Sequence, residues 1–501
     1  MGRSPSFLVS GPVAPGCTAG PTPGGRHGGL ARRAAEGCGG HGRATLPFDP
    51  VGRSPESPVE PDGSSADFPD WVWASGEETS DPLVHVERAD DAPGCGPVGE
   101  RVTIRVDELG GCGHLEHLDD DLAAVGDLGA TVMRYGMPWQ RTELEPGVYD
   151  WSLWDRALAA AERVGLEVVV DLCHFGLPDH LCGPGSDHAG FTDPAWVDSF
   201  LRYVEAFLAR YPGPRWFTPV NEPTTTAFCS ALWGAWNDGT DAPGDYGRAL
   251  VLCELADALA AAAIRADRPA SFPGAEALSI PTLVHPGRRE EVEVRVAQWN
   301  AATDLRTGHP LDPDAESLFE TVPDAWFERL STVSGTDGVV LGHDIYPVSV
   351  QPYVAFDAEP PELTITDRVD AWADFARRCH RRWGLPIWVA ETSNLGLDPA
   401  DGPAWLDALS DACALLRLDG VDVRGICWYS RGDQLDWDNA LVPPDGTLTR
   451  VGLFDMERRP RPAAEAFRRL AADGAPPALV RRTGVGRAGV GRAENQTARD
   501  G

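Results

Sequence analysis

The sequence predicts an α/β protein folded as one (β/α)8 barrel, the TIM-barrel architecture, on three observations. Between residues 67 and 473, short apolar runs alternate about eight times with longer amphipathic segments, the pattern of parallel strands connected through helices. Two of the runs end abruptly in a glutamate, Glu222 and Glu391, and a barrel of this kind gathers its strand ends at one mouth. The flanking residues, 1–66 and 474–501, are rich in Gly, Pro and Arg without sustained periodicity. Such composition cannot bury enough apolar surface to offset the entropy of ordering, so both flanks are expected to be disordered tails on a single catalytic domain, 67–473.

Taken in order, strands are expected at 71–75, 131–137, 167–173, 215–220, 277–283, 339–345, 386–391 and 423–429. Each is short, apolar and rich in β-branched or aromatic residues, as buried parallel strands are. Helices are expected between them, among others at 117–128, 151–164, 194–210, 246–266, 366–383 and 403–418. In Trp154-Asp155-Arg156-Ala157-Leu158-Ala159-Ala160-Ala161-Glu162 the apolar residues share one face, as an outer-ring helix requires. An open doubly wound sheet is the rival, but eight units with functional residues on nearly every strand end favour a closed barrel. The connection around residues 299–326 is expected to form a lid or a wall of the site.

The fourth and seventh strands carry the chemistry. Arg215-Trp216-Phe217-Thr218-Pro219-Val220 runs into Asn221-Glu222-Pro223, where Pro223 stops the ladder by removing a donor. Leu385-Pro386-Ile387-Trp388-Val389-Ala390 runs into Glu391-Thr392-Ser393-Asn394. Two carboxyls on two strand tips are the minimum equipment for hydrolysing a glycosidic bond, one as general acid and base, the other as nucleophile. That division needs Glu391 ionised, which a neighbouring cation would favour, and Glu222 protonated, which burial and the charge of Glu391 would favour.

Composition removes several other classes. All 43 basic residues are Arg against 76 acidic ones, a net charge of −33. Without Lys there is no phosphate-binding Gly-Lys-Ser/Thr loop, no pyridoxal-phosphate imine and no lysine-dependent aldolase. Such acidity also argues against nucleic acid as a partner. No apolar run reaches the roughly 18 residues of a membrane span, and the N-terminus has no basic-then-apolar leader pattern, so a membrane partner and export are not expected. Eleven Cys, scattered without Cys-x-x-Cys, suit a reducing cytoplasmic compartment rather than a metal or disulfide framework. Gly484-Val485-Gly486-Arg487-Ala488-Gly489 has dinucleotide-loop spacing but no strand before it or helix after it, so no cofactor is expected, and no metal.

The motifs on the strand ends resemble those of glycoside hydrolase family 1, the β-glucosidase family, over residues 67–472. Phe68-Pro69-Asp70-Trp71-Val72-Trp73 resembles its opening strand, and Met133-Arg134-Tyr135-Gly136-Met137-Pro138-Trp139 its second. Asp171-Leu172-Cys173-His174-Phe175-Gly176-Leu177-Pro178 is similar to its sugar-binding His motif. Asn221-Glu222-Pro223 matches its acid/base, and Val389-Ala390-Glu391 its nucleophile. Gly342-His343-Asp344-Ile345-Tyr346 stands where the family has a Tyr bonded to the nucleophile. Trp428, Asp433 and Asp436-Trp437 resemble its eighth strand and sugar-binding loop, and Gly452-Leu453-Phe454-Asp455 with Pro460-Arg461-Pro462 its closing segment.

The resemblance implies a retaining β-glycosidase acting on a small carbohydrate. Catalytic Glu222 and Glu391 would be served by Arg134, His174, Asn221, Tyr346, Trp428, Asp436 and Trp437 as substrate-binding residues. Trp139, with Trp428 and Trp437, could stack on a sugar. Several positions depart from the family. Thr392-Ser393 follows the nucleophile in place of Asn-Gly, Asp344 replaces an Asn, and Asp81 and Asp436 stand near the Gln and Glu that grip the outer hydroxyls of the sugar. The shorter pair predicts weakened discrimination between gluco and galacto configurations. A sugar-binding protein without turnover, or a transglycosidase using the same carboxyls, are the alternatives. The sequence does not fix the oligomeric state.

Overall fold

The computed structural model describes residues 67–87, 99–355 and 358–477. The expected tails at 1–66 and from 478 onwards, with the glycine run at 484–489, lie outside the described residues. Eight parallel strands form one sheet: β1 (Val72–Gly76), β2 (Val132–Gly136), β3 (Glu167–Asp171), β4 (Trp216–Thr218), β5 (Phe272–Pro273), β6 (Val339–Asp344), β7 (Ile387–Thr392) and β8 (Val423–Trp428). Their order is β4-β3-β2-β1-β8-β7-β6-β5. The two ends of that order meet through a Trp216–Ser271 bridge, with the Phe217 N–H donating to the Ser271 carbonyl at 3.1 Å. The sheet is therefore closed.

Around it stand α1 (His114–Asp127), α2 (Ser152–Val164), α3 (Ala195–Arg210), α4 (Asp245–Asp267), α5 (Arg289–Thr307), α6 (Ile365–Trp383), α7 (Gly402–Leu418) and α8 (Pro462–Asp473), one after each strand. Period-two alternation divides the strand residues between two cores. Val72, Ala74, Val132, Val169, Trp216, Val340, Trp388, Ala390 and Cys427 fill the barrel with Phe68 and Ala275. Trp73, Met133, Val170, Phe217, Leu341, Val389, Ile426 and Trp428 face the helices. Phe68 packs edge-on against Trp216 and Trp388, with ring centroids 5.3 and 5.2 Å away, and closes the amino end of the barrel. Among the described residues no helix is long and apolar enough to cross a membrane.

The fifth strand differs from expectation. The run at 277–283 contributes Ile280–Leu283 to a two-stranded parallel ribbon with Val350–Tyr353, outside the barrel. The barrel position is taken by Phe272–Pro273, where a central Pro argues against a strand on sequence grounds. Here the cost of Pro273 is contained. The Phe272 N–H still donates to the Gly338 carbonyl just before β6 and the Gly274 N–H to the Val340 carbonyl within it, and the Pro273 carbonyl accepts from the Thr218 hydroxyl at 2.6 Å. Glycine is required opposite, because a Cβ on Gly342 would lie 1.9 Å from the Gly274 carbonyl oxygen. The connection expected as a lid opens instead with the ring helix α5, and its later part packs on the start of α4, where Thr321 donates to the Gly244 carbonyl.

Candidate active site

Glu222 sits just past β4, at the start of the helix Pro223–Ala231, with φ 38°. A non-glycine residue in that region costs of order 1 kcal/mol and persists only where its surroundings hold it. Here the Asn221 N–H donates to the Cys173 carbonyl at 2.9 Å and the Glu222 N–H to the Ala275 carbonyl at 3.1 Å. Pro223 opens the following helix, where its missing N–H costs nothing. The strand tip thus aims both Asn221 and Glu222 across the mouth.

Glu391 reaches the same place by a different device. Trp388 and Ala390 point into the barrel, so strict alternation would turn Glu391 outwards. The pairing of β7 is irregular between Val389 and Thr392 against β8, and between the partners of Gly342 and Asp344 against β6. The extra residue restores an inward direction, a use of bulges common beside active sites. Glu391 Oε1 then accepts from Arg134 Nη1 at 2.6 Å, and Oε2 from the Tyr346 hydroxyl at 2.6 Å. The two hydrogen bonds fix the carboxyl in one orientation.

Arg134 also ties together β3 and β4. Its Nη2 donates to Asp171 Oδ2 at 2.7 Å and to the Asn221 side-chain oxygen. Asp171 in turn pairs with His174 Nδ1 at 2.7 Å, leaving Nε2 between the Tyr429 hydroxyl at 3.3 Å and Glu78 Oε1 at 3.7 Å. Burial alone would lower the pKa of His174, but the charges of Asp171 and then Glu78 outweigh it and raise it. An oxygen from each of Glu222, Asp344 and Glu391 lies within 4.8 Å of the other two, although the three residues are only 5%, 0% and 4% exposed. Burial first, and the charge on Glu391 second, push the Glu222 carboxyl up to about 7. Burial, then Glu391 and Glu222, hold Asp344 well above the usual carboxylate range. One fixed carboxylate facing one carboxylic acid that keeps its proton near neutrality is an acid and nucleophile pair in waiting.

The sequence model of glycosyl hydrolase family 1 matches residues 102–267. The β-glucosidase of Agrobacterium sp. is 24% identical over 392 residues, covering 69% of this chain and 80% of that enzyme. Mouse Klotho is 23% identical over 399 residues, and there the match covers 71% of this chain but 37% of Klotho. Among solved structures, a β-glucosidase from Exiguobacterium marinum superposes with a TM-score of 0.64 at 17% identity, over 81% of this chain and 98% of that one. The β-glucosidase from Thermotoga maritima in complex with glucoimidazole gives 0.64 at 16% identity, over 82% and 100%. The chain is similar to glycosyl hydrolase family 1 over residues 102–267 and has the fold of the β-glucosidases.

The mouth brings together Glu222, Glu391, Arg134, His174, Asn221 and Tyr346. Trp428 does not join them. It faces the helices, with its indole N–H donating to the Val451 carbonyl at 2.9 Å, because Cys427 already points inwards. The next residue, Tyr429, is the one that enters the site, where Arg134 lies 5.6 Å over its ring. Alternation along Cys427, Trp428 and Tyr429 is the sequence signal that separates the inward Tyr from the outward Trp. Trp139 is likewise core, stacked on Tyr203. Trp437 packs on Phe175 and Trp236 beside the His174 turn, and its buried Nε1 has no acceptor among the described residues.

The expected grip by two aspartates also changes. Asp436 accepts from the N–H groups of Gly446 and Thr447, at 2.9 and 2.7 Å, so its carboxylate fastens its own loop. Asp81 is packed against Gly176, where a Cβ would lie 1.8 Å from Asp81 Oδ1, and burial pushes its carboxyl up to about 6. From the loop after β1 it is Glu78 that reaches His174 and Gln434.

Behind Glu78, Glu108 is buried with Oε2 accepting the Leu435 N–H at 3.0 Å. Burial, with Glu78 second, pushes its carboxyl up to about 9. The native chain therefore keeps this proton at pH values where the unfolded chain has lost it, and stability falls as pH rises from about 4.5 towards 9. Glu108→Gln preserves the acceptor and removes the titration. Its free energy of unfolding is expected to match that of the parent near pH 4.5 and to exceed it increasingly towards pH 9, by up to about 1.4 kcal/mol per pH unit, with a melting temperature that rises above the parent's in the same sense. Parallel melting curves across that range would refute the assignment.

Proposed function

We propose that the chain is a retaining β-glycosidase that hydrolyses a small β-glycoside or oligosaccharide by double displacement. The observation that carries this reading is the Glu222–Glu391 pair, with oxygens within 4.8 Å of each other across the mouth. Retaining enzymes hold their carboxyls about 5–5.5 Å apart, whereas inverting ones leave about 6.5–9.5 Å for a water. Glu391 attacks the anomeric carbon while Glu222 gives its proton to the departing oxygen, and a glycosyl ester forms on Glu391. That ester is neutral, so the second cause of the raised Glu222 pKa disappears, and Glu222 then takes a proton from the water that cleaves the ester.

The buried donors Asn221 Nδ2 and Trp437 Nε1, neither with an acceptor among the described residues, suit a ligand covered in hydroxyl groups. Leaving such groups unpaired costs about 1–3 kcal/mol each. The eight described Cys are free, seven of them buried, and fit a reducing compartment.

The test is proton NMR of the first product from an aryl β-glycoside. The β-anomer is expected to appear before mutarotation. An α-anomer would overturn retention, and saturable sugar binding without turnover would make the chain a carbohydrate-binding protein instead.

A further inference from the structure

Asp344 is an acid without a place in the double displacement as derived. It ends β6 pointing inwards, fully buried, and neither of its oxygens receives a donor from a hydroxyl, amide or guanidinium group. One of its oxygens lies within 4.8 Å of a Glu222 carboxyl oxygen, and each carboxyl shifts the titration of the other. Two carboxylates offer only acceptors, so a bond between them requires a proton on one.

The charges around the pair leave no alternative source of balance. Glu391 on β7 takes Arg134 and the Tyr346 hydroxyl. Asp171 on β3 shares Arg134 and holds His174. From other elements, Glu276 bears on Glu222 as a further acid, and Cys427 of β8 lies near Asp344. Both local cations are thus committed to Glu391 and Asp171, and ionising Glu222 and Asp344 together would leave two buried charges uncompensated.

Resting on the glycosidase reading, we propose that Asp344 is the positioning residue of the general acid, a carboxylic acid that donates a hydrogen bond to Glu222 and shares its titration. When the glycosidic bond breaks, its electron pair goes to the leaving oxygen, which takes the Glu222 proton. Glu222 becomes a carboxylate and keeps the bond from the Asp344 O–H. In the second half Glu222 recovers a proton from water, and Asp344 ends as it began. The Asp344 O–H thus favours the ionised form of Glu222, so the basic limb reports the first proton to leave the pair.

Asp344→Asn, whose amide still donates to Glu222, and Asp344→Leu, which has no donor, test this. At pH 6 the kcat/KM of Asp344→Asn is expected to stay within about tenfold of the parent with its basic limb in place, while the basic limb of Asp344→Leu moves at least about half a pH unit higher. A side chain that merely shapes the site would change kcat and leave the limb in place in both variants, and an Asp344→Leu profile superimposable on that of the parent overturns the proposal. Infrared spectroscopy of the free protein supplies a readout that does not need turnover. The protonated-carboxyl C=O band of the parent at pH 6 should lose intensity in Asp344→Asn. In Glu222→Gln, whose amide can donate to Asp344, the remaining band should titrate at lower pH than in the parent. If the parent has no turnover the glycosidase reading fails while these bands still decide the shared proton, and bands unchanged in both variants overturn it.

Discussion

Glu391→Ala is expected to reduce turnover of an aryl β-glycoside by four or more orders of magnitude, about 5.5 kcal/mol of transition-state stabilisation. Added azide is expected to restore part of it as an α-glycosyl azide. The vacated space lies between Arg134 and Tyr346, two donors that already bind an anion there, so a small anion can occupy it and attack the anomeric carbon from the same face. The variant should leave the fold intact, because Arg134 keeps Asp171 and Asn221 as acceptors. It should also move the acid titration. Glu391 is the second cause of the raised Glu222 carboxyl, after burial, so the basic limb of the rescued reaction should lie below pH 7. Unchanged turnover would remove Glu391 as nucleophile, and a β-configured azide product would mean attack from the opposite face.

The parts of this site legible in the sequence are those where local pattern and tertiary demand coincide. Asn221-Glu222-Pro223 shows a strand tip because its Pro ends the ladder whatever the neighbours do. Arg134 was legible through the resemblance of Met133-Arg134-Tyr135-Gly136 to the second strand of the family. The fifth strand was not legible, since Phe272-Pro273-Gly274 is a turn by every local rule. Only the closing neighbours, with Thr218 reaching the Pro273 carbonyl, make it a strand.

The misplacement of Trp428 has a different origin. It is a phase error of one residue, and one residue turns a side chain to the other face of a sheet. The same slip explains Asp436, whose backbone at φ 54° returns its carboxylate to its own loop. The carboxyl pair of Glu222 and Asp344 lay beyond sequence reasoning, because nothing within a strand reports which acids end up face to face across the mouth.

Arg134→Met should produce the largest loss of stability of any single change at the mouth. Arg134 is 1% exposed and its guanidinium serves three acceptors on three strand ends: Glu391, Asp171 and Asn221. Met fills much of the same volume, so the loss is electrostatic rather than a cavity. Breaking a buried ion pair from one side costs about 3–5 kcal/mol because the remaining charge is stranded, and here two carboxylates are stranded together, with only His174 left beside Asp171. Urea unfolding at pH 7 should show a loss at or above that range, and turnover should fall by at least about a thousandfold because the nucleophile loses its fixed orientation. Arg134→Lys should recover only part of either quantity, since a single ammonium cannot span three acceptors in the plane a guanidinium reaches. Protonating the stranded carboxylates removes their cost, so the stability gap between parent and Arg134→Met should narrow as pH falls from 7 towards 5. A gap that stays constant over that interval would mean that the lost stability comes from packing, and that the charge of Arg134 is not what holds the strand ends together.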